Sequence, residues 1–306
     1  MFDSVGLSYI GDVQECEKHL SNLDEKTNRE SGEIVTYGLL GNMRVKIRGD
    51  FLSVYGSIPR YLLGSNLTSL SRKATQECMN KLSDEIHLDM KEAQVFRLDI
   101  ANNLILENEI SSYLSCFGNS RHYKKDTYDQ SSVIYRNSKR TAEFYNKARE
   151  TRAKKKEIPE FLADQHILRY ELQLKKRVKT QLKRNEVKGS MLYDRDFFHQ
   201  IVNLWQNEYY AIEKLNNVKL IPEVRDMLTK QKLINYLALR GLKNELGEKA
   251  FLDMLEQEKG NFKSERQFYR LKNAVKELSK VPELIEPSEA IRELDKKIKQ
   301  VADIHL

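Results

Sequence analysis

Two tight links set the strongest constraint on how this chain folds. Gly41-Asn42 and Gly49-Asp50 separate three short runs, 33–40, 43–48 and 51–55, and two-residue links of that composition suit antiparallel hairpins. A three-stranded antiparallel meander is therefore expected. A second hairpin is predicted within 131–150: Val133 to Arg136 and Thr141 to Lys147 alternate apolar with polar residues around the quartet Arg136-Asn137-Ser138-Lys139. Stretches 95–100 and 166–178 read as further strands, and 67–86 and 108–117 as helices.

From about residue 190 only helical periodicity continues, with candidates at 195–215, 223–240, 248–258, 265–278 and 288–304 bounded by Gly, Pro or Ser. The expected fold class is α+β. An N-terminal antiparallel-sheet domain with flanking helices, 1–187, precedes an all-helical C-terminal domain, 188–306.

The net charge of +7 is modest, but it is concentrated. Residues 121–156 hold twelve Lys/Arg against four Asp/Glu, and 169–188 hold eight against two, so these windows carry +14 and the remainder −7. A solvated basic face is the plain explanation; a polyanion partner, nucleic acid above all, is the sharper one. Cys16, Cys78 and Cys116 lack metal-ligand spacing, so zinc is not expected and a reducing cytoplasm is. No apolar run approaches the ~18 residues of a membrane span, and the N-terminus lacks signal-peptide character. No membrane partner is expected.

Three polar clusters fall on predicted strands: Arg97-Leu98-Asp99, the Tyr145/Lys147 hairpin and Arg169-Tyr170-Glu171. A period of two puts Glu143, Tyr145 and Lys147 on one face. A phenol with its ordinary pKa of ~10 needs a cation, base or metal to become a nucleophile, and Lys147 and Arg149 are candidates to assist. If the strands are neighbours, Asp99 and Glu171 converge with Arg97 and Arg169 on the tyrosine, an oxygen set suited to Mg²⁺ or Mn²⁺. Structural ion pairs, and a tyrosine packed on an amphipathic strand, are the alternatives. Gly-rich phosphate loops, nucleophile elbows and paired histidines are missing.

The chain resembles the phage and plasmid gene II/X replication initiation proteins, over about residues 43 to 280. The carriers are VKIRGDFLSVYGSIPRYLLGSNL, FRLDIANN, AEFYNKARE and LRYELQLKKR, in this order. The resemblance implies a nickase-like N-terminal domain and a DNA strand-transferring endonuclease of rolling-circle replication. Tyr145 corresponds to its nucleophile, forming a phosphotyrosine link to the 5′ end and freeing a 3′ hydroxyl. It also implies Asp99 and Glu171 as metal ligands, with Glu150 as a third, and a host helicase and polymerase as partners. Lys147, Arg169 and Arg97 join the catalytic set. Origin DNA, single-stranded, hairpin or duplex, would meet Arg136, Lys139, Arg140, Arg149, Lys154, Lys155, Lys156, Lys175, Lys176 and Arg177. Tyr135 is a candidate stacking platform or second nucleophile. The alternative is an origin- or operator-binding protein without catalysis.

In the helical domain, Ser264 and Gln267 have capping-box spacing. The helix that follows has Phe268, Leu271, Val275 and Leu278 on its apolar side, with Arg266 and Arg270 off it. With 248–258 it reads as a helix-turn-helix for duplex DNA or as an ordinary helical hairpin. Ile291, Leu294, Ile298 and Val301 offer a heptad seam for a homodimer.

Overall fold

A computed structural model describes the chain except for residues 28–29, 155–158, 216, 219–229, 243–247, 279–284, 287 and 306. Lys155 and Lys156, and the 223–229 portion of one predicted helix, lie outside the described residues.

The elements begin with β1 (Phe2–Ile10), β2 (Ser21–Thr27), β3 (Ile34–Leu40), β4 (Met43–Arg48) and β5 (Phe51–Ser57). Then follow α1 (Ile58–Leu63), α2 (Arg72–Ile86), β6 (Gln94–Leu106), α3 (Ile110–Ser115) and β7 (Phe117–Ser120). The second hairpin region supplies β8 (Lys124–Tyr128), β9 (Ser132–Arg136) and β10 (Arg140–Asn146), leading directly into α4 (Lys147–Ala153). After these come β11 (His166–Leu174), α5 (Val178–Gln181), α6 (Arg195–Tyr210) and β12 (Ile212–Lys214). The helical part contains β13 (Asn217–Val218), α7 (Lys230–Gly241), α8 (Glu248–Gln257), α9 (Glu265–Leu278), β14 (Ile285–Glu286) and α10 (Glu289–His305).

Ten strands form one sheet in the order β2-β3-β4-β5-β1-β6-β11-β10-β9-β8, with every pairing antiparallel. The α+β architecture is the one expected. Both predicted tight turns are present, with Gly41 and Gly49 at φ 59° and 58°, a region that glycine enters without strain. The hairpin turn between β9 and β10 is closed by Asn137, whose Oδ1 accepts from the Lys139 and Arg140 amides at 2.9 and 2.8 Å.

The central strand β1 has no counterpart among the expected strands, although Ser4, Gly6 and Ser8 alternate there with Val5 and Leu7. The same holds for β2, β7 and β8. β6 runs well beyond 95–100, because its second half pairs with β11 from Leu98 to Leu106. α2 starts at Arg72 rather than 67, since the Ser71 side chain caps the Ala74 amide at 3.1 Å.

The sheet has one buried and one polar face, as antiparallel sheets commonly do. On the buried face Phe144 stacks on Tyr170 at 4.4 Å and Tyr170 on Trp205 of α6 at 4.7 Å. The Tyr170 hydroxyl donates to the Trp205 carbonyl at 3.0 Å. Val5, Leu7, Val54 and Leu98 continue this core, and α2 turns Cys78, Met79, Leu82 and Ile86 inward.

The chain divides into two compact units, Met1–Glu213 with Glu293–Leu306, and Lys214–Arg292. The change of pattern near residue 188 is thus not the edge of the first unit: α6 builds the core of the sheet. The C-terminal part of α10 also belongs to it. Leu294, Ile298 and Ala302 are buried there, Asp295 accepts from Tyr209 at 2.6 Å, and Glu293 accepts from the Glu107 amide at 3.0 Å. Leu294 and Ile298 of the predicted seam are therefore buried within their own chain and not free for a dimer contact, whereas Val301 is half-buried.

In the second unit α8 packs on α9. The Ser264 hydroxyl accepts from the Gln267 amide at 3.3 Å, but Gln267 reaches back to the Lys263 amide, one residue before the cap. Phe268 is buried, whereas Leu271, expected beside it, is exposed. Arg266 and Arg270 are exposed on α9.

Ile298→Ala is expected to cost about 2–5 kcal/mol in urea denaturation, with a midpoint independent of protein concentration. A concentration-dependent midpoint would return the seam to a subunit contact.

Candidate functional site

Register on the polar face brings the predicted clusters together. Tyr145 lies opposite Arg169, Glu143 opposite Glu171, and across β6 Arg169 lies opposite Asn103 and Gln173 opposite Asp99. Directly opposed residues share a face.

Arg169 is the centre of this group and is only 2 % exposed. Its Nη2 meets Asp3 Oδ1 at 2.7 Å and its Nε donates to Glu171 at 3.4 Å. Nη1 donates to the Asn66 carbonyl at 3.2 Å and to Asn103 Oδ1 at 3.1 Å. A guanidinium removed from water requires such a complete set of acceptors. Burial alone would raise the Asp3 carboxyl; the charge of Arg169 and hydrogen bonds from Asn66, Arg169 and Ser4 outweigh it and hold Asp3 below its ordinary value.

Asp99 behaves in the opposite way. Arg97 grips it with Nε at 3.0 and 3.1 Å and Nη2 at 2.9 Å. Even so, burial, with the charges of Glu171 and Asp3 adding to it, pushes the Asp99 carboxyl up to about 6. Arg97 also lies over the Tyr55 ring at 4.7 Å, and the Tyr55 hydroxyl donates to Asp99 at 3.4 Å.

Tyr145 is half-buried. Burial raises its hydroxyl far above the ordinary value, Arg169 opposes that, and Glu171, Glu150 and Asp3 reinforce it. Among the described residues nothing hydrogen-bonds this hydroxyl. Lys147 is not on the strand, as predicted, but is the first residue of α4, whose start is capped by Asn146 accepting from the Arg149 amide at 2.9 Å. Its buried Nζ still stands 6.0 Å from the centre of the Tyr145 ring and 2.8 Å from Glu150. Burial lowers the Lys147 ammonium, and Arg169 adds to that.

Three predictions need correction. Tyr135 is 0 % exposed on the helix-covered face, where its hydroxyl donates to the Gly118 carbonyl at 2.7 Å; no base can stack on it and no phosphate can reach it. Arg140 points to the same side and pairs with Glu208 of α6, so it is a structural ion pair away from Tyr145. Glu150 is bound by Lys147 and Lys154, which outweigh burial and hold it at about 2.

Among the described residues no three Asp, Glu, His or Cys side chains form a metal-binding group. Asp99 and Glu171 remain as a pair. They supply only oxygen, and Glu171 adds its negative charge to the burial that raises the Asp99 carboxyl. That fits Mg²⁺, which is commonly held by one or two carboxylates plus substrate phosphates. Arg136, Lys139, Arg149, Lys154, Lys175, Lys176 and Arg177 are exposed, and Arg136 and Lys175 both act on the charge of Glu143.

Residues 17–203 match the family described as the N-terminal region of a phage replication-associated protein. The chain belongs to that family. Membership of a phage replication-associated family supports a replication-initiator role with origin DNA as the partner. The match includes Asp99, Tyr145, Arg169 and Glu171, begins after Asp3 and ends within α6. No curated protein gives a significant match. Among the described residues no helix is long and apolar enough to cross a membrane.

The residues that sequence reasoning missed are Asp3, Asn66 and Asn103. Asn66 and Asn103 stand inside stretches already singled out, GSNL and IANN, whereas Asp3 needed β1 to be recognised.

The Asp99 carboxyl titrates at about 6 in the fold and at ~3.9 when unfolded. The folded state therefore takes up this proton first as pH falls. Ionised Asp99 costs on the order of 3 kcal/mol above that range, and the cost disappears below a pH of about 4. In metal-free protein, the unmodified chain is expected to gain stability relative to Asp99→Asn between pH of about 7 and 4, read by urea denaturation. Parallel pH profiles would refute the raised carboxyl.

Proposed function

We propose that the chain initiates rolling-circle replication by nicking one DNA strand at its origin through Tyr145 and later rejoining it. The observation that carries this reading is the pairing of Tyr145 with buried Arg169 on the polar face, with Lys147 beside the ring and, among the described residues, no partner on the hydroxyl. Family membership supports it.

Tyr145 Oη gives up its phenol proton to solvent as it attacks the scissile phosphorus, and the bond from phosphorus to O3′ breaks. O3′ takes up a proton and becomes the 3′ hydroxyl that primes synthesis, while the 5′ phosphate stays on the tyrosine. Joining is the reverse attack by a 3′ hydroxyl. Burial holds the proton on the phenol at rest, so attack depends on positive charge at the phenolate, from Arg169 across the strand pair and Lys147 at the start of α4. The same two groups stabilise charge developing on the phosphorane. Asp99 and Glu171 would hold a Mg²⁺ or Mn²⁺ ion, which when bound supplies polarisation of the phosphate. Arg97 orients Asp99. The exposed cations around β9, α4 and α5 hold the DNA backbone. In the helical unit, Arg266 and Arg270 on α9 serve duplex selection.

Tyr145→Phe is expected to abolish the detergent-stable DNA adduct and nicking, with DNA affinity little changed, whereas Tyr135→Phe keeps the adduct. Excess chelator should stop cleavage, and Asp99→Asn should remove most activity while the protein stays folded. Adduct formation by Tyr145→Phe would exclude this nucleophile. Origin binding with no adduct under any condition would leave a DNA-binding protein without catalysis.

A further inference from the structure

The polar face extends past the candidate site onto the other half of the sheet, and its surface chemistry changes there. Between β1 and β6 the register slips: Gly6 pairs with Arg97 but Leu7 with Val95, leaving Phe96 as an extra residue. A bulge of this kind re-aims a side chain. Val95 stays in the core, while Phe96 is 41 % exposed. Its ring lies 2.6 Å from where a Cβ on residue 6 would stand, so the glycine allows the ring to lie against the β1 backbone.

Two further aromatic residues share this face. Tyr55 lies opposite Gly6 and Arg44, and Arg97 lies on its ring. Tyr37 lies opposite Lys46, is 37 % exposed, and has Lys46 and Lys26 at 5.9 and 5.4 Å from its ring centre. The floor between them is flat, because Ser8 and Ser53 oppose each other beside Gly6.

The exposed rings of Phe96 and Tyr37, with half-buried Tyr55 under Arg97 between them, interleave with Lys and Arg over a flat floor, which matches the requirements of single-stranded nucleic acid. Each base stacks by its π face, and the cations follow the backbone. Double-stranded DNA cannot use such rings without unstacking. The platform is continuous with the nucleophile's face: β6 is two strands from β10, about 10 Å at the ~4.8 Å spacing of a sheet, and β3 is six strands away, about 29 Å. That span suits a strand of several nucleotides.

We propose that Phe96 and Tyr37, with Lys26, Arg44, Lys46 and the Arg97 guanidinium stacked on Tyr55, form a stacking platform for the single-stranded DNA flanking the nick. The platform grips the strand with little regard to base sequence. It rests on the reading that a DNA strand is brought to Tyr145.

The test compares the unmodified protein with Phe96→Ala, Tyr37→Ala and Phe96→Tyr. Fluorescence anisotropy reads the affinity for an oligothymidylate and for an abasic strand of equal length, which keeps the phosphates but lacks bases. The unmodified protein should prefer the oligothymidylate. Each alanine substitution should weaken that binding about five- to a hundredfold and leave abasic affinity nearly unchanged, and Phe96→Tyr should bind like the parent. Thermal melts confirm that the variants are folded; a melted Phe96→Ala would leave Tyr37→Ala as the deciding variant. Undiminished oligothymidylate binding by the folded alanine variants, or an equal loss on the abasic strand, overturns the platform. Covalent adduct on origin DNA is scored separately with the unmodified protein. Ring-dependent affinity without adduct would sink the nicking reading and keep the platform, while adduct with ring-independent affinity would do the reverse.

Discussion

The buried guanidinium of Arg169 is the interaction on which the rest of the polar face depends. It joins three strands and a loop: Asp3 from β1, Asn103 from β6, Glu171 from its own β11 and the Asn66 carbonyl from the segment between α1 and α2. An ion pair out of water is tolerated only when its remaining polar atoms are satisfied, and losing one partner leaves an uncompensated charge. The group therefore acts as a register lock. A slip of one residue between β6 and β11 would send Arg169 into the Phe144, Tyr170 and Trp205 stack.

That lock also divides the electrostatics. Asp3 is kept ionised by Arg169, while Asp99, on the adjacent strand β6 and gripped by Arg97, is pushed towards neutrality by burial and by its acidic neighbours. Tyr145 sits between a guanidinium that favours its phenolate and three carboxylates that oppose it. Such a site is balanced against ionisation at rest. An incoming phosphate or a cation alters that balance, and this is the arrangement expected where charge develops during reaction rather than before it.

The two faces of one sheet separate the apolar core from the candidate site. On one side aromatic stacking against α6 and the inward side chains of α2 make an apolar core. On the other, polar side chains and small residues leave the surface open to a polyanion. The alternation of β-strands makes this possible with no insertion or separate binding module: Phe144 and Tyr145 are neighbours in sequence, yet one is core and the other is the candidate nucleophile.

Local chemistry made part of this legible in advance. Tight turns at Gly41-Asn42 and Gly49-Asp50, alternation in 131–150 and 166–178, and helical spacing after residue 190 are short-range signals that correspond to elements of the fold among the described residues, although the strand expected over 166–178 ends at Leu174 and α5 begins at Val178. So do the polar triplets that carry Arg97, Asp99, Arg169 and Glu171, because a period of two places them by itself. What sequence could not decide is which strands become neighbours and what shields them. Asp3 becomes the partner of Arg169 only because β1 inserts between β5 and β6. Tyr135 has the same chemistry as Tyr145, but facing α6 it is core. Leu294 and Ile298 of α10 could have met a second chain, and packing buries them within this one. Propensity and periodicity act over a few residues, whereas burial and long-range charge pairing are fixed only when the whole sheet has closed.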